Sequence, residues 1–271
     1  MSEQSSYFTC FDAFGYVVRV ESNVPLREAL DLHQLVLRGW HRSSKDPQSV
    51  YRIDEEQNSF TLWHDGELLF DRAPRTRLEL SLTRHCHLQI ATHSPRYVFV
   101  HAGVVQTEHG LLLLPGATFA GKSTLIKSLV ELGCVYFSDE YAVVNDRGEV
   151  LPFLRGVRLR DGSRRVYWDA PQRAPSMTAA AVKAIYFLDY EPGESLQPRR
   201  LSSSEALTRL LEHTVNARER PQESLSSLTL LTVSAQAFES RRGESEQAAR
   251  RLIDLLSEDF QAESSVVRNG R

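Results

Sequence analysis

Two short segments of this sequence carry residue types suited to phosphate chemistry. Gly116 to Ser123 reads GATFAGKS, which fits the pattern G-x-x-x-x-G-K-[ST] of phosphate-binding loops. Asp139 and Glu140 follow soon after, with only 16 residues from Ser123 to Asp139 (139 − 123). A glycine-rich loop points backbone N–H groups at phosphate oxygens, and a nearby acid can hold Mg²⁺ or accept a proton. The two segments together predict a site of phosphate transfer.

The glycine-rich loop, residues 116–123, has the flanking elements that such a loop requires. An apolar strand, LLLLPG, precedes it and an amphipathic helix, KSTLIKSLVEL, follows it. Lys122 is expected to contact the terminal phosphates of a nucleotide, Ser123 to offer its hydroxyl to Mg²⁺, and Thr124 to help at the helix start. The predicted nucleotide-binding residues are Gly116, Ala117, Thr118, Phe119, Ala120, Gly121, Lys122, Ser123 and Thr124.

The acid pair follows the apolar run CVYF, at the predicted end of a buried strand. Ligands of α/β sheets bind at such strand ends. One acid is expected to hold Mg²⁺, directly or through water, and the other to take a proton from an attacking hydroxyl; the predicted metal ligands are Ser123, Asp139 and Glu140. In the large ATPase and GTPase classes the Mg²⁺-linked acid usually lies much further along the chain. Here it follows the very next strand after the loop helix, which we expect to adjoin the loop strand.

The elements that position these residues divide the chain into a small N-terminal α+β domain (1–95), a second domain (96–260) and a flexible tail (261–271). In the first domain, the patterns predict strands at 16–22, 49–54 and 59–65 and helices at 25–40 and 77–94; the start of 77–94 also alternates like a strand, which remains open. In the second, they predict strands at 96–106, 111–116, 134–140, 180–190 and 228–233, a hairpin at 141–154, and helices at 122–132, 202–216 and 244–260.

Composition and charge limit the class of protein. The chain has 271 residues, a net charge of −3 and no polybasic run, so we expect no nucleic-acid partner. No apolar stretch is long enough for a membrane span, and the segment MSEQSSYFTCFDAFG does not read as a signal peptide. The three cysteines, Cys10, Cys86 and Cys134, are too sparse for a disulfide framework, which favours a reducing cytoplasm.

The segment from about residue 97 to 160 resembles the catalytic domain of bacterial HPr kinase/phosphorylase, within the superfamily that also holds ATP-dependent phosphoenolpyruvate carboxykinase. The motifs that carry the resemblance are FVHAGVV before the loop, the loop itself, ELGCVYFSDE after its helix, and FLRGVRL. The fold that this implies is α/β, with a P-loop core like that of HPr kinase and phosphoenolpyruvate carboxykinase behind the smaller N-terminal domain. The family forms hexamers, which implies a homo-oligomer.

The resemblance also implies roles for site residues. ATP and Mg²⁺ would be bound by Lys122 and Ser123, and Asp139 or Glu140 would activate an acceptor serine hydroxyl. His101 would lie beside the transferred phosphate, and Arg155 would belong to the arginine-glycine signature with Gly156.

The chain departs from the family within the same stretch. Phe119 stands where the family's loop usually has glycine, and Glu140 where it usually has a second aspartate. These differences favour the HPr-kinase-related proteins, some of which phosphorylate peptides, over an enzyme acting on HPr itself. We therefore expect a serine kinase acting on a protein or peptide. A small-molecule hydroxyl kinase and a non-catalytic nucleotide-binding regulator remain as alternatives, and ATP, GTP or pyrophosphate as the donor.

Other polar residues are interpreted as structural. His85, Cys86 and His87 do not converge on one face of the predicted helix, so a metal site with His93 is not expected. His33 is interpreted as a core or boundary histidine, and Cys134 as packing. The arginine-rich segments RDGSRR and SRRGESEQAARR are predicted to be solvated faces, although RGVRLRDGSRR could attract an acidic peptide or a phosphate.

Overall fold

The structure is a computed structural model that describes residues 7–116, 121–155, 157–161, 164–168 and 175–269; within these ranges the side chains of 33–34, 157–168 and 259–269 are not described. The chain forms two compact units, Met1–Arg96 and Tyr97–Arg271, and each is mixed α/β. None of the described helices is both long and apolar enough to cross a membrane.

The first unit is a six-stranded mixed sheet with one long helix. Its elements are β1 (Tyr7–Ala13), β2 (Tyr16–Ser22), α1 (Leu26–Ala29), α2 (Leu32–Leu35), β3 (His41–Arg42), β4 (Ser49–Glu56), β5 (Ser59–His64), β6 (Glu67–Ala73) and α3 (Arg75–His93). The strand order is β3-β1-β2-β4-β5-β6, with only β2 and β4 parallel. Leu78, Leu82, Cys86 and Ile90 of α3 are buried at a spacing of four. This stripe confirms the helix and excludes the alternative strand at its start.

The single helix predicted for residues 25–40 is wrong. Two one-turn helices, α1 and α2, are separated at Leu30, whose backbone is extended (φ −155°, ψ 161°). The N–H of Asp31 donates to Oε1 of Glu79 at 3.1 Å instead of continuing the helix. The break lets Leu30, Leu35 and Leu37 all reach the core. Tertiary packing has overridden the helical spacing of the leucines.

The second unit is an eight-stranded sheet covered by helices on both faces. Its elements are β7 (Val98–Thr107), β8 (Gly110–Pro115), α4 (Lys122–Glu131), β9 (Val135–Ser138), β10 (Tyr141–Val144), β11 (Val150–Leu151), β12 (Val157–Asp161), β13 (Arg164–Trp168), β14 (Val182–Tyr190), β15 (Arg199–Leu201), α5 (Ser203–Glu212), α6 (Pro221–Ser234), β16 (Gln236–Arg242) and α7 (Ser245–Asn269). The order is β11-β10-β7-β8-β14-β16-β15, and β9 also pairs with β7, while β12 and β13 form a separate hairpin.

Three neighbouring strands of this sheet, β8, β14 and β16, are parallel. Their carboxyl ends therefore lie at the same edge, where the glycine-rich loop begins. On the other side of β8, the antiparallel strand β7 pairs with both β9 and β10. The predicted adjacency of the acid strand to the loop strand is wrong, because β7 lies between them.

The helices bury apolar stripes on opposite faces of the sheet. Leu125, Ile126 and Leu129 of α4 share one core cluster with Ala249 and Leu252 of α7. The other cluster contains Ala206 and Leu210 of α5 with Leu228 and Leu231 of α6. The α4 helix packs so closely on β7 that a Cβ at Gly103 would lie 2.8 Å from the Ile126 side chain. This contact holds the start of α4 over the strand that pairs with the acid segment.

The strand predicted at 228–233 is wrong, since these residues belong to the helix α6. Pro221 occupies its first turn, where the missing N–H costs nothing. Ser224, Ser227, Leu228 and Leu231 are buried at helical spacing. Within the run LTLLTV, Leu228, Leu231 and Thr232 lie on the buried face of the helix, and the other three residues are exposed. A short apolar run does not distinguish a strand from a buried helix segment.

The end of the chain differs from the prediction as well. The final helix continues to Asn269, beyond the predicted end at 260 and into the segment expected to be frayed. The strands β1, β3, β6, β15 and β16 and the hairpin β12–β13 were not predicted. The other predicted elements are confirmed, including the capping box in which the Ser202 hydroxyl accepts from the N–H of Glu205 and the Glu205 carboxylate accepts from the N–H of Ser202.

Candidate active site

The glycine-rich loop leaves β8 at Gly116 and enters α4 at Lys122. Gly121 precedes the helix in the left-handed conformation, with φ 74°. Glycine suits this position because it lacks the Cβ that strains other residues there. Ala117, Thr118, Phe119 and Ala120, four of the predicted nucleotide-binding residues, lie outside the described residues. Thr124 lies in the first turn of α4 and is exposed.

The carbonyl of Gly116, at the start of the loop, accepts hydrogen bonds from two side chains. Nζ of Lys122 donates to it at 2.7 Å, and Nδ1 of His101 lies 3.0 Å from it. Since a carbonyl only accepts, His101 carries a proton on Nδ1 in this contact. Burial lowers the pKa of Lys122 to about 8, although Glu140 and Asp139 oppose the shift. The structure thus brings His101 and Lys122 to the same point of the loop.

A break between β9 and β10 presents the acid pair. Both strands pair with β7, and Asp139 and Glu140 form a bend between them, where the carbonyl of Glu140 still accepts from the N–H of Ala102 in β7 at 3.1 Å. The Ser138 hydroxyl accepts from the N–H groups of Glu140 and Tyr141, at 3.1 and 3.0 Å. A serine side chain that replaces a strand's hydrogen bonds in this way stabilises a local turn. The turn leaves both carboxylates at the edge of the sheet.

Asp139 is the buried centre of the site, with only 2% of the residue exposed. Its Oδ2 accepts from the Ser123 hydroxyl at 3.0 Å. Its Oδ1 accepts from Nε of Arg155 at 3.1 Å and lies 2.9 Å from the hydroxyl of Tyr136. These contacts fix both carboxylate oxygens. A direct hydrogen bond therefore joins Ser123 and Asp139, which are 16 positions apart in the sequence.

Arg155 forms ion pairs with both acids. In addition to Asp139, its guanidinium contacts Oε2 of Glu140. Burial alone would lower the pKa of Arg155, but the two carboxylates outweigh it and raise the pKa above the usual value. Gly156, the other residue of the predicted signature, lies outside the described residues. The structure thus places Arg155 beside the two acids.

Glu140 stays ionised at any ordinary pH. Burial raises its pKa, but the contact with His101, whose Nε2 lies 3.5 Å from Oε1, and the charge of Arg155 prevail and lower the pKa to about 2. The Glu140 side chain is 24% exposed, whereas that of Asp139 is fully buried. Glu140 is therefore the more exposed of the two acids.

Sequence reasoning missed two residues of this site. Tyr136 was interpreted as part of an apolar strand, yet its hydroxyl contacts Asp139 and lies 3.0 Å from the carbonyl of Arg155. Arg242 was assigned to a solvated arginine-rich face, and this is wrong. It is 2% exposed, and its Nη2 donates to the carbonyl of Gly121 at 3.2 Å. No spacing signal distinguishes either residue from its neighbours.

The described residues that are interpreted as structural have partners or environments of their own. In the first unit, Nδ1 of His85 bonds the hydroxyl of Tyr51 and Nε2 of His87 bonds the carbonyl of Leu35. Burial raises the pKa of Cys134 to about 11, which suits a packing role. The side chains of His33 and of RDGSRR are outside the described part of the chain.

The oxygen atoms of the site suit Mg²⁺ in kind. Mg²⁺ prefers one or two carboxylates, completed by water and substrate phosphates, to an all-protein cage. Ser123 and Asp139 provide a hydroxyl and a carboxylate 3.0 Å apart, with the carboxylate of Glu140 beside them. The described residues contain no group of three or more histidines, cysteines or acids that could hold a metal ion.

The chain shows a distant structural likeness to a solved protein. No family model and no curated protein matches the chain. Among solved structures it is similar to the HPr(Ser) kinase/phosphatase from Coxiella burnetii, with a TM-score of 0.35 and 10% sequence identity. The similarity covers 64% of this chain and 95% of that protein. It is a weak likeness of fold and assigns no activity to this chain.

Proposed function

We propose that this chain is a kinase that uses ATP and Mg²⁺ to transfer the terminal phosphate to a hydroxyl group, namely that of a serine in a protein or peptide. One observation carries the proposal: the hydrogen bond of 3.0 Å between the Ser123 hydroxyl and Asp139. It joins the helix after the glycine-rich loop to the acid pair, so that groups suited to phosphate, Mg²⁺ and a hydroxyl meet at one point. The HPr-kinase-like core and the serine acceptor belong to this proposal, and the sequence resemblance supports them.

The loop and Lys122 bind the phosphates in this proposal. The Lys122 ammonium lies at the start of the loop, where it donates to the carbonyl of Gly116. A phosphate oxygen is a stronger, charged acceptor, so Lys122 would exchange the carbonyl for it. Ser123, Asp139 and Glu140 would hold Mg²⁺ together with phosphate oxygens. The metal supplies neutralisation of the charge on the phosphoryl group in transfer.

Glu140 orients the acceptor. The hydroxyl oxygen attacks the terminal phosphorus, the bond from phosphorus to the bridging oxygen breaks, and ADP leaves while the hydroxyl proton passes to the Glu140 carboxylate. A pKa of about 2 makes Glu140 a weak base. Phosphoryl transfer through a loose transition state needs little basicity, because the nucleophile bonds late and positioning dominates. His101 and Arg155 hold the carboxylate in place for this task.

The test is a transfer assay with matched variants. The purified chain is incubated with Mg²⁺, radiolabelled ATP and a degenerate peptide library containing serine, and separately with the same library containing alanine instead. We expect label on the serine library only, lost in Lys122→Ala and Asp139→Asn. Lys127→Ala is the control, since Lys127 lies on the same helix and only pairs with Glu131 at the surface.

Three results would contradict the proposal. Transfer that persists in Asp139→Asn would show that the acid pair is not part of the machinery. Nucleotide binding without release of ADP, unaltered in Asp139→Asn and Glu140→Gln, would instead favour a non-catalytic regulator. Label on serinol or a sugar but not on any peptide would identify a small-molecule kinase.

A further inference from the structure

The segment 213–216, which follows α5, continues the sheet where β8 turns away into the glycine-rich loop. Val100 of β7 pairs with β10 on one side and with Thr214 on the other. On that second side, the N–H of His101 donates to the carbonyl of His213 at 2.8 Å. His101 and His213 therefore lie opposite one another on antiparallel backbones.

Three further hydrogen bonds fix this segment on β7. The N–H of Val215 donates to the carbonyl of Phe99 at 2.7 Å. Asn216 is fully buried; its Oδ1 accepts from the N–H of Phe99 at 3.0 Å, and its Nδ2 donates to the carbonyl of Tyr97 at 2.9 Å. The backbone at His213 is therefore held in place by its neighbours and not by its own side chain.

The side chain of His213 lies on the face of β7 that carries α4. Opposite residues of an antiparallel pair project to the same face, with Cβ atoms about 5 Å apart, so His213 projects beside His101. Along β7, Val100 belongs to the core cluster under α5 and α6, whereas Gly103 packs directly on α4. Because the two faces alternate residue by residue, His101 lies on the face of Gly103. Lys122 begins α4 and lies on this face as well.

The surroundings of His213 suit a phosphate ligand. The residue is half-buried and thus partly open to a ligand. Burial, together with the charges of Lys122 and His101, lowers its pKa, while Glu212 and Asp189 oppose the shift. A bound phosphate would favour the imidazolium form, which donates from both ring nitrogens. A third donor would then lie beside the two that already meet at the start of the loop.

A structural role at the end of α5 does not account for the imidazole. The last turn is completed by the backbone N–H of His213, which donates to the carbonyls of Leu210 and Leu211. A charged histidine would interact favourably with the carboxyl end of the helix. Burial beside Lys122 disfavours that charge by lowering the pKa, so the helix gains little from it.

We propose that His213 is a further phosphate-contacting residue of the kinase site, whose imidazole donates a hydrogen bond to the terminal phosphate of the nucleotide. The contact lies on the side of His101 away from Glu140, because Glu140 directly precedes β10 and His213 pairs with the opposite side of β7. The inference rests on the proposed function and adds to it a residue that distinguishes ATP from ADP.

The test follows the imidazole of His213 in the full chain by nuclear magnetic resonance. Its proton–nitrogen correlation signals are assigned by their loss in His213→Gln. The non-hydrolysable ATP analogue AMP-PNP, or ADP, is then added with Mg²⁺, and calorimetry measures the binding of both nucleotides. We expect the signals of His213 to shift with AMP-PNP and much less with ADP, which lacks the terminal phosphate.

Variants separate this contact from a structural role. His213→Phe keeps a ring without donors and should weaken AMP-PNP binding by about tenfold and ADP binding by less than about twofold, because only the bond to the terminal phosphate is lost. His213→Gln retains an N–H donor and should recover part of the difference. Thr214→Val is the control, since the Thr214 hydroxyl bonds the carbonyl of Leu210 at 2.8 Å. It should leave the binding of both nucleotides within about twofold of wild type.

Two results would overturn the inference while the kinase function stands. One is AMP-PNP binding that leaves the signals of His213 unmoved or that is as tight in His213→Phe as in the wild-type chain. The other is an equal loss of AMP-PNP and ADP binding in His213→Phe, which would assign the residue to the fold of the site. If neither nucleotide binds the wild-type chain, the proposed function fails and this inference fails with it.

Discussion

The hydroxyl of Ser123 donates to Oδ2 of Asp139 across 3.0 Å, which joins the first turn of α4 to the break between β9 and β10. The two residues lie on elements that are not neighbours in the sheet, because β7 lies between the loop strand and the acid segment. The contact brings a hydroxyl and a carboxylate, both Mg²⁺ ligands in kind, into one place.

Removing this hydroxyl should impair Mg²⁺-dependent activity more than stability. Ser123→Ala is expected to lower kcat/KM for Mg²⁺-ATP by about 100-fold, because a metal ligand that also orients Asp139 is lost. Ser128→Ala is the matched control, since the Ser128 hydroxyl bonds only the carbonyl of Thr124 on the same helix. A drop of equal size in Ser128→Ala would attribute the effect to the helix and not to the site.

Arg155 occupies the position of a cation between two carboxylates, and its loss should be compensated by a metal. Arg155→Met leaves Asp139 and Glu140 facing each other unneutralised, at a cost of about 2–3 kcal/mol in unfolding free energy, discounted for the partial exposure of the guanidinium. Mg²⁺ should then raise the melting temperature of the variant more than that of the wild-type chain. Arg147→Met, at an exposed hairpin turn, should show neither effect. A variant that Mg²⁺ does not restabilise would argue against metal binding at the acid pair.

Tyr136 should act through Asp139 and not on a substrate. Tyr136→Phe removes the hydroxyl that lies 2.9 Å from Oδ1 and is expected to lower the unfolding free energy by about 1 kcal/mol. With one contact to Asp139 fewer, the Mg²⁺ concentration needed for half-maximal activity should rise, while KM for the acceptor stays the same. Titration of activity with Mg²⁺ separates this from a purely structural role, which would lower activity at every Mg²⁺ concentration alike.

Binding of a phosphate ligand should take up a proton near pH 8. Burial lowers the pKa of Lys122 from 10.5 to about 8, so folding favours its neutral form. Below pH 8 the folded chain buries a charged lysine, which lowers the free energy of unfolding. This cost disappears as the pH rises from 8 towards 10.5. A bound phosphate favours the ammonium and raises the pKa again. Calorimetry at about pH 8.5 in buffers of different ionisation enthalpy should show proton uptake on tripolyphosphate binding, and Lys122→Met should abolish it. Equal heats in all buffers would contradict the buried position of Lys122.

The sequence predicts those parts of the fold that depend on local patterns. The helix α4 after the glycine-rich segment, the capping box at Ser202 and the leucine stripe of α3 all depend on residues within a few turns of one another, and they are confirmed as elements. The break at Leu30 and the helix across 228–233 depend on which partner surface covers the leucines, and no local pattern contains that partner.

The same distinction applies to the site. The loop motif followed by a helical pattern is enough to predict that Lys122 and Ser123 begin α4. The apolar run before Asp139 is enough to predict that the acid pair follows a strand. Arg242 lies 121 positions from Gly121, so its contact with the loop is formed only by the parallel pairing of β14 with β8 and β16. Tyr136 contacts Asp139 three residues away. The sequence around it is that of a buried strand, so nothing distinguishes it from a tyrosine that only packs in the core.

The strand β7 bonds the loop strand β8 along one side and the acid segment along the other. Adjacent strands lie about 4.8 Å apart, so the separation of phosphate site and acids is set by two strand spacings and not by the length of chain between them. The turn at Gly133, between α4 and β9, could therefore lengthen without moving the acids. The short sequence spacing is therefore not needed to form the site. A chain with a longer connection would keep the same arrangement of loop and acids, but the spacing motif would no longer reveal it.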